Sequence, residues 1–95
     1  MDNIFEVIDK TGRKIRLTHK QWKHIQQDHP NNVKIEDIEE AIKNPIKIIQ
    51  KRINSAFYYQ YFKHRKEPAK YLRVVVKYLN DDGFIITSYF VKNPT

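Results

Sequence analysis

A chain of 95 residues, 40% of them hydrophobic and 13% aromatic, is long enough for one globular domain spanning residues 1–95. It contains no cysteine, which excludes a disulfide framework and a thiolate nucleophile, and no apolar run approaches the roughly 18 residues of a membrane span. A formal net charge of +7 favours polyanionic partners, and the N-terminal residues lack a signal-peptide pattern, so a cytoplasmic protein without a membrane partner is expected.

The positive charge is concentrated in one block of the chain, residues 43–79. This block contains ten lysines and arginines against Glu67 alone, whereas the segments before and after it each carry a net charge of −1. Tyrosines and phenylalanines are interleaved with these cations. Cations mixed with aromatic rings can follow a phosphate backbone and stack bases, so the block predicts a nucleic-acid surface. The alternative interpretation is a solvated basic face whose aromatic residues belong to the core.

The first part of the chain predicts a short β-hairpin followed by two helices. Residues 5–8 and 14–17 alternate in part between apolar and polar side chains around a turn at 9–12. Thr18 suits the N-cap of a helix over about 19–28, which ends before Pro30. A second helix is expected over about 35–43, with acidic residues in its early turns and an apolar face made of Ile35, Ile38, Ala41 and Ile42.

The remaining residues predict β-structure. The runs 46–52, 56–63, 71–79 and 84–91 are rich in β-branched and aromatic residues. The sequence Asn-Asp-Asp-Gly at 80–83 is a strong hairpin signal between the last two runs. The predicted fold class is therefore α+β, with two N-terminal helices packed on a four-stranded antiparallel meander sheet and a short leading β-hairpin.

Strand alternation assigns the polar residues of the later strands to faces. Arg73 and Lys77 share the face of their strand that lies opposite its apolar residues. One of the neighbours Thr87 and Ser88 must lie on the open side of the last strand, and the alternation does not decide which. Tyr59 alternates with other aromatic residues in the strand over 56–63. An exposed sheet face with an arginine, a lysine, a tyrosine and a hydroxyl has the side chains that an active site could use.

Two histidines at the end of the first predicted helix are the strongest indication of catalytic chemistry in the sequence. His24 and His29 lie five positions apart in the sequence Trp-Lys-His-Ile-Gln-Gln-Asp-His-Pro. Because an ordinary histidine has a pKa of about 6.5, two imidazoles beside an anion-binding surface favour acid–base chemistry on a phosphate. Five helical positions separate two side chains by about 140°, which splays them rather than converging them on a metal. No metal or other cofactor is therefore expected.

Four motifs occur in an order that resembles a known family. They are Trp-Lys-His-Ile-x-x-x-His-Pro at 22–30, Ile-x-x-Ala-Ile-x-x-Pro at 38–45, Tyr-Leu-x-Val-Val-Val at 71–76 and Ile-Ile-Thr-Ser-Tyr at 85–89. Over about residues 16–91 the chain resembles a phage-associated branch of the barnase–EndoU–colicin–RelE-like nuclease superfamily. The resemblance implies a helix-then-sheet fold and a metal-independent ribonuclease of the kind found among toxins and phage conflict systems.

The resemblance also implies which residues do the chemistry. The family's His-Ile and His-Pro pattern falls on His24 and His29, and its last strand motif, usually Thr-Ala-Tyr, falls on residues 87–89. Asn31 stands where an acidic residue commonly follows His-Pro, so no carboxylate role is carried over to this position.

The mechanism implied is transesterification of RNA to a 2′,3′-cyclic phosphate. His24 and His29 would transfer protons in an order that is left open, while cations stabilise the phosphorane and a hydroxyl holds the phosphate or orients a histidine. Tyr59 would stack a base or replace one histidine. The predicted catalytic residues are His24, His29, Lys77 and Thr87, and the predicted substrate-binding residues are Arg73, Tyr59, Ser88, Arg52 and Tyr89. The expected partners are RNA, either tRNA or mRNA, and a neutralising antitoxin or immunity protein.

Each of these residues also has a structural interpretation. His29 suits a helix C-terminus, where a cation interacts favourably with the helix dipole. His24 can also be interpreted as an ordinary exposed helix residue. Arg73 and Lys77 read as ordinary solvated strand residues. Two other functions therefore stay open, namely a non-catalytic basic module that binds RNA or DNA, and the inert partner protein of a toxin–antitoxin pair.

Overall fold

The fold begins with two strands, continues with two helices and ends with four strands. The computed structural model describes residues 3–28 and 33–94. Within them the elements are β1 (Asn3–Ile8), β2 (Lys14–Thr18), α1 (His19–Asp28), α2 (Ile35–Lys43), β3 (Lys47–Arg52), β4 (Ser55–Tyr61), β5 (Tyr71–Leu79) and β6 (Asp82–Val91).

Both helices have the predicted bounds. α1 begins after Thr18 because the Thr18 hydroxyl accepts a hydrogen bond from the backbone N–H of Gln21 at 3.1 Å, which satisfies an amide of the first turn. α2 turns its apolar stripe toward the sheet, as the helical periodicity predicts. The fully buried residues of this stripe are Ile38, Ala41 and Ile42.

The described strands form one six-stranded mixed sheet in the order β1-β2-β6-β5-β4-β3. The expected four-stranded antiparallel meander with a separate leading hairpin and two N-terminal helices is therefore wrong. β3 to β6 do form an antiparallel meander, but β2 pairs in parallel with β6 and adds the β1–β2 hairpin to the same sheet. The two helices connect β2 to β3, so they follow the first two strands of the sheet.

A glycine and an ion pair explain why β2 joins β6. A Cβ atom at Gly83 would lie 2.5 Å from Cδ1 of Ile15 and 3.0 Å from Cγ1 of Val76, so only glycine admits the Ile15 side chain at this distance. Beside this contact, the Arg16 guanidinium lies 2.8 Å from the carboxylate of Asp82 and also pairs with Glu6 of β1. The junction is thus both closely packed and charge-neutralised.

Both helices pack on one face of the sheet, and the core lies between the two layers. α1 contributes Ile25 to this core, and the half-buried Trp22 packs against it. The fully buried strand residues of the core are Ile15, Leu17, Ala56, Tyr58, Leu72, Val74, Val76 and Ile85. Within the described ranges, neither helix is long and apolar enough to cross a membrane.

A buried carboxylate ties the turn after β1 to the sheet. One Asp9 oxygen accepts hydrogen bonds from the N–H and hydroxyl of Thr11 and from the N–H of Arg13, at 2.8 to 2.9 Å, and the other accepts the Tyr58 hydroxyl. The hydroxyl of Tyr78 lies 2.7 Å from that of Tyr58. Burial, followed by these hydrogen bonds, raises the pKa of Tyr58 well above its ordinary value. The network therefore favours a neutral Tyr58 in the folded protein.

Candidate functional site

The sheet face turned away from the helices carries most of the polar residues that strand alternation grouped together. Arg73 of β5 pairs with Tyr59 of β4 and with Tyr89 of β6, so these three residues form one row across the sheet. The next rows are two residues, or about 6.6 Å, away along each strand. We call this surface the outer face; its residues are Phe57, Tyr59, Tyr61, Tyr71, Arg73, Val75, Lys77, Thr87 and Tyr89.

Arg73 lies at the centre of the outer face, surrounded by aromatic side chains. Its Nε donates to the hydroxyl of Tyr59 at 2.9 Å, and one terminal nitrogen donates to the hydroxyl of Tyr89 at 3.2 Å. The guanidinium carbon is 4.6 Å from the ring centroid of Phe57. Burial acts to lower the pKa of Arg73, but the hydrogen bonds to the two tyrosines outweigh it and the pKa is raised. The guanidinium is therefore a permanent cation with a fixed orientation.

A β-bulge in β6 decides which hydroxyl reaches the outer face. The pairing of β5 with β6 shifts between Val75–Thr87 and Val76–Ile85, so that the simple alternation expected from residue 84 onward breaks at residue 86. Thr87 lies on the outer face, in the row next to Arg73. Ser88 is fully buried on the helix side, and its hydroxyl donates to the backbone carbonyl of Arg73 at 3.0 Å. The predicted contact of Ser88 with substrate is therefore corrected to a hydrogen bond inside the core.

Two other predicted substrate contacts have different positions from those expected. Tyr59 is fully buried, so its ring face is not available to stack a base as predicted, and its role on the outer face is to hold Arg73. Arg52 is exposed at the end of β3 and pairs with Ser55, which in turn pairs with Lys77. Arg52 and the exposed Lys77 thus share a row at the same end of the sheet, two rows from Arg73.

α1 lies beside β6, the strand that carries Thr87 and Tyr89. The Gln21 side chain donates to the carbonyl oxygen of Ile86 at 2.7 Å, next to the bulge. His24 follows three positions later, about 60° around the helix from Gln21, and is exposed. Within residues 3–28 and 33–94 no hydrogen bond or ion pair of His24 is seen, so the structure does not join it to the outer-face residues. His29, the other predicted proton donor or acceptor, lies outside the described residues.

Local sequence patterns missed the enclosure of Arg73 and the buried Asp9 network. Alternation alone places Arg73 opposite the apolar face of its strand and groups Tyr59 with other aromatic residues, but only the register between strands shows that the two side chains meet. The one signal for the second feature is the Asp-Lys-Thr-Gly turn at 9–12, because aspartate side chains often bond the backbone of such turns. Among the described residues, no group of three or more histidines and acidic residues has the geometry to hold a metal ion.

Comparisons of this chain with protein-family models, with curated proteins and with solved structures found no match.

Proposed function

We propose that this chain is a metal-independent ribonuclease that binds RNA on its outer face and cleaves it by transesterification. The observation that carries the proposal is the row Tyr59–Arg73–Tyr89, in which the guanidinium donates hydrogen bonds to tyrosine hydroxyls on the two neighbouring strands. Thr87 lies one row away on the same face and Lys77 two rows away. Two cations, Arg73 and Lys77, and the hydroxyl of Thr87 therefore lie on one face, a combination that suits the binding of phosphate groups.

The chemistry requires few groups because RNA supplies its own nucleophile. The 2′-hydroxyl loses a proton and attacks the adjacent phosphorus, and the bond to the 5′-oxygen breaks as that oxygen gains a proton. The products are a 2′,3′-cyclic phosphate and a 5′-hydroxyl. Negative charge accumulates on the phosphorane oxygens in between, where the fixed Arg73 guanidinium would stabilise it without reorganising. Removing one such preorganised donor typically costs about 10²- to 10³-fold in rate.

The proton transfers are assigned to groups beside this row. The Tyr89 hydroxyl contacts Arg73 directly, and His24 lies on α1, the helix whose Gln21 contacts β6, whereas the buried Tyr59 holds Arg73. Positioned acid–base groups contribute about 10²- to 10⁴-fold each, so single variants separate the candidates. The roles of His24 and His29 stay predictions made from the sequence.

The family resemblance adds the biological setting of the proposal. A toxin-like ribonuclease of this kind would act in the cytoplasm on tRNA or mRNA and would be neutralised by an antitoxin or immunity protein. The basic block at 43–79 supports such an anionic substrate, because a field of one sign attracts polyanions over a long range.

The test is cleavage of total RNA by the purified protein in EDTA, followed by analysis of the product ends. We expect cleavage that resists the chelator, yields cyclic phosphate ends and falls about 10²- to 10³-fold in Arg73→Lys, because lysine keeps the charge but loses the planar fork. His24→Ala and His29→Ala are measured separately, with His19→Ala, an exposed residue at the start of α1, as the matched control that retains activity.

Two results would replace this proposal with one of the other functions. Binding of RNA or DNA that weakens with salt, without cleavage of any RNA, would indicate a non-catalytic nucleic-acid module. A stoichiometric complex with an acidic protein, again without cleavage, would indicate the partner of a toxin–antitoxin pair.

A further inference from the structure

Two tyrosine rings form an exposed pair on the outer face, one row from Arg73. Tyr61 ends β4 and Tyr71 begins β5, and the two residues pair directly across the strands. Their ring centroids are 4.9 Å apart and the rings are tilted by 44°. Tyr61 is 43% exposed and Tyr71 is half-buried, so this end of the sheet presents aromatic surface to solvent.

The loop between β4 and β5, residues 62–70, adds positive charge beside this tyrosine pair. Arg65 holds the loop in place, because its guanidinium lies 3.6 Å from the ring centroid of Phe90 and donates to the carbonyl of Ala69 at 3.0 Å. The exposed basic residues of the loop are Lys63, His64 and Lys66. Because Phe90 packs against the core, Arg65 anchors the loop on the helix side of the sheet, and the loop's lysines begin with Lys63, two residues after Tyr61.

We propose that the Tyr61–Tyr71 pair is a stacking subsite for an unpaired base of single-stranded RNA. The phosphate on one side of that base would bind at Arg73, and the next phosphates would follow Lys63 and Lys66. This inference rests on the proposed function, because it takes the Arg73 row as the site of the reacting phosphate. It names single-stranded RNA as the substrate class.

The geometry favours a single strand over a duplex. Tyr71 and Arg73 are two residues apart along β5, a separation of about 6.6 Å, which is about the length of one nucleotide in an extended single strand. In a duplex the base faces are covered by neighbouring base pairs, so a protein ring can stack only on a base that is unpaired. Stacking on an aromatic side chain accepts any base, so the subsite would select for strandedness before sequence.

The first experiment measures binding of a fluorescent 2′-O-methyl RNA 12-mer, which lacks the nucleophile and is not cleaved, as a single strand and as a duplex. We expect the single strand to bind more tightly than the duplex. Tyr61→Ile, which removes the ring but retains a side chain suited to a strand, is expected to weaken single-strand binding about tenfold. Tyr61→Phe keeps the ring and is the matched control that binds like the wild type.

The second experiment reports stacking and charge directly. A 2-aminopurine base in the same oligonucleotide should lose fluorescence on binding to the wild type and to Tyr61→Phe, but not to Tyr61→Ile. Replacing both Lys63 and Lys66 by alanine should reduce the slope of log affinity against log salt by about 1.4, whereas replacing both Lys10 and Lys20 should leave it unchanged.

The outcomes separate this inference from the proposed function. Single-strand binding that depends on the Tyr61 ring, without cleavage of natural RNA, would support the subsite and overturn the ribonuclease. Cleavage that is unaffected in Tyr61→Ile, or equal affinity for single strand and duplex, would overturn the subsite and leave the ribonuclease standing. Absence of binding to either oligonucleotide would overturn the subsite as well.

Discussion

Arg73 has a structural role on the outer face as well as its proposed role in binding phosphate. Its guanidinium contacts side chains from β4 and β6, so it links three strands on the outer face. The same contacts fix the direction in which it presents its charge. A lysine at this position would keep the charge but could not span the two phenols with a planar group. For this reason Arg73→Lys separates charge from geometry in the cleavage assay.

Thr87 and Ser88 are neighbours, but we expect substitution of Ser88 to affect stability and substitution of Thr87 to affect cleavage. Ser88→Ala should lower the free energy of unfolding by about 1 kcal/mol, because the Arg73 carbonyl loses a buried hydrogen bond, and should leave RNA cleavage unchanged. Thr87→Val, which keeps the shape of the side chain, should reduce cleavage more than stability. Urea denaturation and initial cleavage rates, measured on both variants, check the pair. Loss of activity in Ser88→Ala at unchanged stability would contradict the assignment.

Tyr58 should make stability depend on pH in the alkaline range. Burial first, and then its hydrogen bonds to Asp9 and Tyr78, raise its pKa in the folded state above the ordinary value of 10.0. Above pH 10 the unfolded chain therefore releases the Tyr58 proton while the folded chain keeps it, so unfolding becomes more favourable as the pH rises. The contribution of Tyr58 is complete below pH 10 and is lost above it, by up to about 1.4 kcal/mol per pH unit.

The comparison that isolates this effect is the wild type against Tyr58→Phe. At pH 8 the variant should be less stable by about 1–3 kcal/mol, because Asp9 loses a buried hydrogen-bond donor. This difference should shrink between pH 10 and 11 in urea denaturation curves. A difference that stays constant over that range would contradict the raised pKa.

At the scale of elements, β2 and β6 meet at a close contact that glycine allows without any shift of the Ile15 side chain. Gly83→Ala should destabilise the protein by about 1–3 kcal/mol, because the added Cβ would overlap Cδ1 of Ile15. Ile15→Val removes that atom, so the double variant should be more stable than the sum of the two single effects predicts. Thermal or urea denaturation of the four proteins completes the cycle. Strictly additive effects would show that the overlap is not the cause.

The elements themselves follow from local patterns. The bounds of α1 and α2 were predicted because Thr18 caps the first, and Asn44 with Pro45 ends the second. The strands were placed within a few residues for a similar reason, since turn residues punctuate the β-branched runs. The last turn differs in detail: Asn80 adopts a left-handed φ of 59° there, and Gly83 lies inside β6. Asparagine tolerates that conformation, so the turn itself does not require Gly83. The glycine instead allows the close contact with β2.

At the scale of the whole molecule, the distribution of charge predicts how strongly RNA binding responds to salt. Arg73, Lys77, Lys63 and Lys66 would each neutralise about one phosphate of a bound strand. The slope of log affinity against log salt for a single-stranded 2′-O-methyl RNA should therefore be about −3. Titrations between 50 and 300 mM salt measure it. A slope near zero would contradict recognition through the phosphate backbone.

The sequence by itself determined the helices, the strands, their apolar faces and the basic block, because each depends on residues that are close together in the chain. It did not determine the mixed sheet, since the contact of Arg16 with Asp82 joins residues 66 positions apart and leaves no local periodicity. It also left open whether Thr87 or Ser88 faces outward, because a bulge shifts the alternation only when β6 pairs with β5. The enclosure of Arg73 arose in the same way, from register between strands. Tertiary structure decided these features because cross-strand neighbours are chosen by packing over the whole sheet.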